Sequence, residues 1–350
     1  MFGLYRTGLA LWVMIFHLLD IPVIGPYAVF SFFALSGFLM TTIMHDTYGY
    51  NISGIKRYVI NRFLRLYPMY WMVAVVSILA IMFVSKQYSI NYKDVLYIPE
   101  AIISIIFNGI MIFPSLIPYD IGPRLSPPTW ALSIEIFFYI CIALGVSRTK
   151  EVTQTWVGLS AFYVVLSYVI GLSGPHRYAS IFAASLPFSL GSLLFFYKKE
   201  ILLFIKNYRI MHPVAIVCIY ILHAAIFTIH AHYYPFINSY YISEFGRYSN
   251  IIITLLTIMS LYYRGEEIFS KKLDKVAGDY SYPIYLLHWQ CGLVASYFLF
   301  DSPTRGMSKE GGVVFLCALL IVFGLSFFLI QIVDKNIALV RERVKANTRR

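Results

Sequence analysis

Apolar stretches of roughly 17–22 residues recur down the whole chain. Each is long enough to cross a hydrocarbon core of about 30 Å as a helix rising 1.5 Å per residue. They place membrane segments at 7–25, 27–45, 67–85, 130–147, 155–172, 179–197, 213–233, 247–263, 281–300 and 311–333. A β-barrel is excluded, because the runs are continuous and do not alternate in ten-residue pieces. The stretch 98–113 is apolar but short, and it carries Pro99, Glu100 and Asn108. It suits an interfacial or re-entrant helix better than a further span. The pattern therefore predicts an all-α fold, a polytopic membrane helical bundle of about ten transmembrane helices with one short helix near 98–113.

Composition supports this class. The chain is 59% hydrophobic and only 13% charged, against about 25% charged residues in soluble proteins. The basic residues test the topology independently. Counting Arg6, the loops after the second, fourth, sixth and eighth spans, and the C-terminal tail, 21 of the 28 Lys and Arg fall on one side. The positive-inside rule then puts both termini in the cytoplasm. The net charge of +11 is accounted for by this asymmetry and by attraction to anionic lipids, so no nucleic-acid partner is expected. The first span carries His17 and Asp20 and runs directly into a second, which does not fit a cleaved signal peptide. Cys141, Cys218, Cys291 and Cys317 are scattered without a CxxC pair, which supports neither a disulfide framework nor a thiolate metal site.

Ionisable groups inside lipid are costly, and they mark candidate chemistry. Arg6 and His17 stand eleven residues apart in the first span. That spacing brings them within about 20° of one helix face and about 16 Å apart along the axis, with Arg6 near a membrane surface and His17 near mid-bilayer. In the second span, Ser36-Gly37 allows close helix approach, a packing service more than a catalytic one. The loop 61–71 offers Arg62 and Arg65, three apart on one face, just before Tyr67-Pro68 opens the third span. Paired guanidiniums suit phosphate. Glu135 lies among Ile134, Ile136 and Phe137 and shares a face with Tyr139. It must face the bundle interior and find a partner. His288, about two turns beyond Tyr282-Pro283, reads as a second intramembrane histidine, shallow on the cytoplasmic side. His223, His230 and His232 have no accompanying carboxylate, and His230 and His232 point in different directions on a helix. No metal site is expected.

Taken in order, these motifs resemble the acyltransferase 3 family of integral-membrane acyltransferases. The resemblance rests on the basic residue, ten residues and His of Arg6 and His17, on FFALSGFL from Phe32, and on the R-x-x-R-L-Y-P run from Arg62. WALSIEIFFY from Trp130 and SYPIYLLH ending at His288 complete it. It departs from the family's habit at Leu4-Tyr5-Arg6-Thr7-Gly8 and at Gln331-Ile332-Val333-Asp334-Lys335. Relatives O-acetylate O-antigen, exopolysaccharide, peptidoglycan and nodulation-factor sugars. The resemblance implies an acyl-CoA donor, acetyl-CoA by default, and a carbohydrate acceptor, free or lipid-linked, at the inner membrane of a bacterium. It implies catalytic roles for His17, assisted by Arg6, and for Glu135 and His288. It implies donor binding by Arg62, Arg65 and Tyr67. Many relatives carry an extracytoplasmic SGNH-type domain that this chain is too short to include, so transfer straight to the acceptor is expected. Residues 1–335 read as the membrane acyltransferase domain and 336–350 as a basic cytoplasmic tail.

The chemistry of the residues agrees. Acyl transfer to a hydroxyl needs a base and a stabilised oxyanion, and a neutral imidazole at His17 can accept the proton. Asp20, three residues on, either orients that ring or faces the outer surface. Direct transfer is the first expectation, an acyl-histidine intermediate the second. A transporter or flippase for an envelope glycan could use the same intramembrane residues. It is disfavoured because no half of the chain repeats and no Gly/Pro-interrupted span recurs at matching positions. A structural subunit of an envelope-glycan complex is a third reading, against which the polar residues in five places argue.

Overall fold

Each of the ten apolar runs folds as a helix. A computed structural model describes residues 2–207, 212–234, 239–268 and 270–346. Its helices are α1 (Gly3–Leu19), α2 (Ile24–Ile43), α3 (Ile52–Val84), α4 (Lys86–Tyr92), α5 (Ile102–Ile110), α6 (Thr129–Ala143), α7 (Lys150–Val169), α8 (Gly174–Tyr178), α9 (Ile181–Phe196), α10 (Lys198–Asn207), α11 (Pro213–Tyr233), α12 (Ser239–Ile268), α13 (Lys271–Phe300), α14 (Lys309–Leu329) and α15 (Lys335–Ala346). Among the described residues, six helical runs are long and apolar enough to cross a membrane, and Gly3–Leu19 and Thr129–Ala143 are shorter apolar helices. The bundle turns apolar side chains outward, as on α7 (Leu159, Phe162), α11 (Leu222, Ile226) and α14 (Leu320, 77% exposed). In a bilayer those faces meet lipid. Arg209, Arg349 and Arg350, counted among the basic residues of one side, lie outside the described residues.

Two helices start ten or more residues before their apolar runs. α3 begins at Ile52, where the Asn51 side chain accepts a hydrogen bond from the Gly54 amide at 2.7 Å. Arg62, Arg65 and Pro68 therefore lie inside a helix and not in a loop. α13 begins at Lys271, capped by Ser270. His288 stands seventeen residues into it, about 26 Å along the axis, and lies level with His17. The reason is the same in both cases: hydropathy marks the part of a helix that meets hydrocarbon, whereas backbone hydrogen bonding carries the helix on through polar turns. The stretch near 98–113 contains α5, nine residues long, about 14 Å and too short to span. Buried Asn108 anchors it by donating to the Pro123 carbonyl at 2.8 Å and accepting from the Leu125 amide at 2.9 Å.

Two close helix pairs position the polar side chains of the bundle. In the first, α2 crosses α9 at small residues. A Cβ on Gly37 would fall 2.1 Å from the Phe188 carbonyl oxygen, and one on Gly191 would fall 1.9 Å from that of Ala34. Gly191→Val is therefore expected to destabilise the bundle by about 1–3 kcal/mol, read as a lower midpoint of thermal unfolding in detergent. An unchanged midpoint would mean the helices do not approach this closely. In the second pair, α1 and α13 run parallel and in register. The Gly3 and Leu4 amides donate to Asp274 at 3.0 and 3.1 Å, and Thr7 Oγ1 donates to the Ala277 carbonyl at 2.5 Å. At the other end, Leu18 packs where a Cβ on Gly292 would meet it at 2.7 Å. A carboxylate on the first free amides of α1 suits the positive end of the helix dipole. Beyond α14, a π-helical turn (Ile330–Asp334) carries the helix on into α15, which lies against α3.

Candidate active site

The polar side chains converge on two regions at opposite ends of α1. At the Arg6 end, a cavity of about 410 Å³ is lined by Arg6 from α1, Ser36 from α2, Arg62 and Arg65 from α3, Glu135 and Tyr139 from α6, and Arg341 from α15. The face shared by Glu135 and Tyr139 is the one turned to this cavity. The partner of Glu135 is Ser36, whose hydroxyl donates to its carboxylate. Packing at Gly37 and hydrogen bonding at Ser36 thus operate side by side on one turn of α2. Arg65 lies 3.6 Å from Asp334, and Arg62 donates to Asn61 Oδ1 at 3.0 Å. Four guanidiniums around one cavity make an anion site, and guanidinium forks match phosphate oxygens.

At the other end, His17 lines two further cavities. One, about 260 Å³, also has Asp20, Lys93, Arg124, Trp289 and Arg305. The other, about 420 Å³, has Tyr27, Trp130, Tyr178, Glu244 and Arg247. Phe16, Tyr119, Pro128 and Trp130 border both, so the two are arms of one groove with His17 at the junction. The register of α1 on α13 sets His288 beside His17, their rings parallel within 7° and 5.3 Å apart, with Trp289 4.9 Å from His17. His288 is fully buried, and its Nδ1 lies 2.8 Å from the Tyr285 carbonyl. A carbonyl only accepts, so Nδ1 carries the hydrogen and Nε2 of the neutral ring keeps its lone pair. That Nε2 is buried without a partner.

Tyr285 and Val29 line both the arginine cavity and the aromatic arm of the groove. Tyr285 also donates from its hydroxyl to the Pro128 carbonyl at the groove's rim, at 3.2 Å. Tyr285 thus shares the partition with Val29, fixes the tautomer of His288 and holds the rim.

The structure brings Arg6, Arg62, Arg65 and Glu135 together, and it pairs His17 with His288. It does not bring these two sets together. Arg6 and His17 share a helix face but open into different cavities. Tyr67 stands apart from both: it is about 200° around α3 from Arg65, and its hydroxyl donates to the Ile110 carbonyl at 2.7 Å. Asp20 ends α1 in the left-handed conformation at φ 51. It is exposed and lies 3.8 Å from Arg305, so it belongs to the groove's rim. His223 bonds Ser249 at 2.8 Å.

Several residues escaped sequence reasoning. Arg341 reads as tail charge until α15 is seen to pack against α3. Arg124, 1% exposed, donates to the carbonyls of Pro127, Tyr119 and Ile121 and knits the loop that walls the groove. Nothing in its sequence context marks that role. Glu244 and Arg247 lie at the predicted edge of the eighth span. There Glu244 accepts from Arg177 Nε at 3.1 Å, Arg247 Nη2 at 3.2 Å and the Tyr168 hydroxyl at 3.0 Å. Charge at the margin of an apolar run was the available signal.

The chain matches the Acyltransferase domain family over residues 3–332 and belongs to that family. No curated protein and no solved structure gives a significant match.

Proposed function

We propose that this membrane acyltransferase moves an acyl group, most simply acetyl, from acyl-CoA to a sugar hydroxyl of a cell-surface polysaccharide or its lipid-linked precursor. On this reading it sits in the inner membrane of a bacterium with both termini in the cytoplasm, so the Arg6 end faces the donor's compartment. CoA phosphates rest among Arg62, Arg65 and Arg6, and Glu135, bonded by Ser36, supplies the counter-charge that spaces these guanidiniums. The thin pantetheine arm passes the Val29–Tyr285 partition and delivers the thioester to His17. The acceptor lies in the outer groove against Trp130 and Tyr178, aromatic faces suited to a pyranose ring.

The steps balance simply. An imidazole nitrogen of His17 takes the acceptor hydroxyl's proton as its oxygen attacks the thioester carbonyl. The tetrahedral intermediate collapses by breaking the C–S bond, and the proton passes from the imidazolium to the CoA thiolate. Arg6, about 16 Å away, assists by holding the donor and not by touching His17. His288 stacks on His17 with a fixed tautomer and limits how that ring can turn.

What carries the reading is the meeting of an arginine-lined cavity and a histidine-centred groove at two shared residues. The test is whether the purified chain in detergent releases CoA thiol from acetyl-CoA only when surface polysaccharide is added, with the acyl mass appearing on the glycan. No thiol release, together with altered glycan export from a deletion strain, would replace the enzyme with a transporter. A second test addresses the partition. Val29→Trp is expected to fill the junction and slow transfer about a hundredfold through misplacement of the thioester, while CoA binding measured by calorimetry is unchanged. Equal loss of both would mean that the cavities do not communicate there.

A further inference from the structure

We infer that Arg62 and Arg341, bridged by Asn61, form the two jaws of a phosphate clamp, which makes the C-terminal helix α15 part of the donor site. The inference rests on acyl-CoA being the donor. Asn61 is fully buried on α3. Its Oδ1 accepts from Arg62 Nη2 at 3.0 Å and from Arg341 Nη2 at 3.5 Å. Its Nδ2 donates to the Arg341 backbone carbonyl at 3.4 Å, which pins α15 to α3 at that point. One amide side chain thus fixes the helix and draws two like charges together.

A neutral amide oxygen gives two guanidiniums hydrogen bonds but no compensating charge. Among the described residues neither Arg62 nor Arg341 makes an ion pair, Glu135 and Asp334 acting on them only from beyond contact distance, whereas Arg65 has Asp334. The remaining contacts of Arg62 are neutral and weak: Met40 Sδ at 3.5 Å and the Tyr58 ring at 5.9 Å. The Nε–H of each arginine is buried without an acceptor. Like charges in a partly desolvated cavity repel strongly, and buried donors left unmade are costly. A phosphate between the jaws answers both, since its oxygens accept from the guanidinium forks and its charge offsets theirs. Both arginines line the same cavity as Arg6 and Arg65, so the clamped group belongs to the ligand of that cavity.

The experiment uses the full chain in detergent and equilibrium binding of CoA, 3′-dephospho-CoA and pantetheine. Arg341→Gln is expected to weaken CoA binding about tenfold or more, since charge-assisted bidentate hydrogen bonds to phosphate are lost, and to leave pantetheine unchanged. Arg341→Lys keeps the charge without the fork, folds with α15 in place, and should fall between. A loss confined to CoA assigns the clamp to the 3′-phosphate, and an equal loss for dephospho-CoA assigns it to the diphosphate. CoA affinity unchanged in both variants overturns the clamp while the acyl-CoA reading stands. So does an equal loss for pantetheine, which would make α15 a structural prop. If the wild-type chain binds no CoA, the donor itself is wrong and the clamp falls with it.

Discussion

His17→Ala is expected to slow acyl transfer about 10²- to 10⁴-fold, the range that a positioned general base contributes, with CoA affinity unchanged. The two halves of that expectation come from separate parts of the structure. The imidazole is half-buried at the junction of the groove's two arms, wedged between Phe16, His288 and Trp289 at ring separations of 4.7, 5.3 and 4.9 Å. A truncated side chain there leaves the hydroxyl without a base. The arginine cavity lies at the other end of α1 and does not include His17. Single-turnover transfer and calorimetric CoA binding on the same preparation check both halves. A variant that loses CoA binding along with transfer would show His17 to be part of the donor site.

Glu244→Ala should cost about 3–5 kcal/mol of stability, the penalty for breaking a buried ion network by removing one partner. Glu244 is 2% exposed and draws Arg177 and Arg247 together on one carboxylate. Without it the Arg247 guanidinium keeps the Arg177 carbonyl at 3.0 Å and the Phe30 and Tyr178 rings at 5.0 and 5.3 Å. Those partners offset a hydrogen bond but not a desolvated charge. Because Tyr178 lines the groove, the same variant should lose acceptor affinity more than donor affinity. Thermal unfolding in detergent reads the first effect, and separate KM values read the second. A melting midpoint equal to wild type would remove the network as a stabilising element. Glu244→Gln, which keeps an accepting oxygen, should fall between.

The helices were legible because lipid imposes one rule on the backbone: every polar group must be satisfied within the segment. Long apolar runs therefore had to be helices, and their order could be read directly. The residues gathered at the candidate site were legible for a related reason. Arg6, His17, Glu135 and His288 stood out as ionisable groups in apolar surroundings, and each lines a cavity or stacks beside one that does. What could not be read was register. That His288 meets His17 depends on how α1 lies along α13, a pairing between segments 271 residues apart in sequence, as in the bond from Gly3 to Asp274. Local pattern holds no information on that offset. Hydropathy misled most by cutting α3 and α13 short where lipid ends, and it also carried the first span past the end of α1 at Leu19. This put Arg62 and Arg65 in a loop and gave His288 a different depth from His17, against which it stacks. Arg341 failed for a third reason, since a basic turn after the last span looks alike whether it dangles or packs against α3.

The zipped pair α1 and α13 also bears on how the protein is made. A ribosome adding roughly 5–20 residues per second needs on the order of 15–50 s to go from Gly3 to its partner Asp274. Throughout that interval α1 must wait in the bilayer with a lone histidine and half a site. The two stacked histidines meet only when the thirteenth helix arrives, so their part of the groove is not assembled before α13 is made. An insertion of one residue between Gly278 and His288 would turn the second imidazole about 100° away and leave the wait unrewarded.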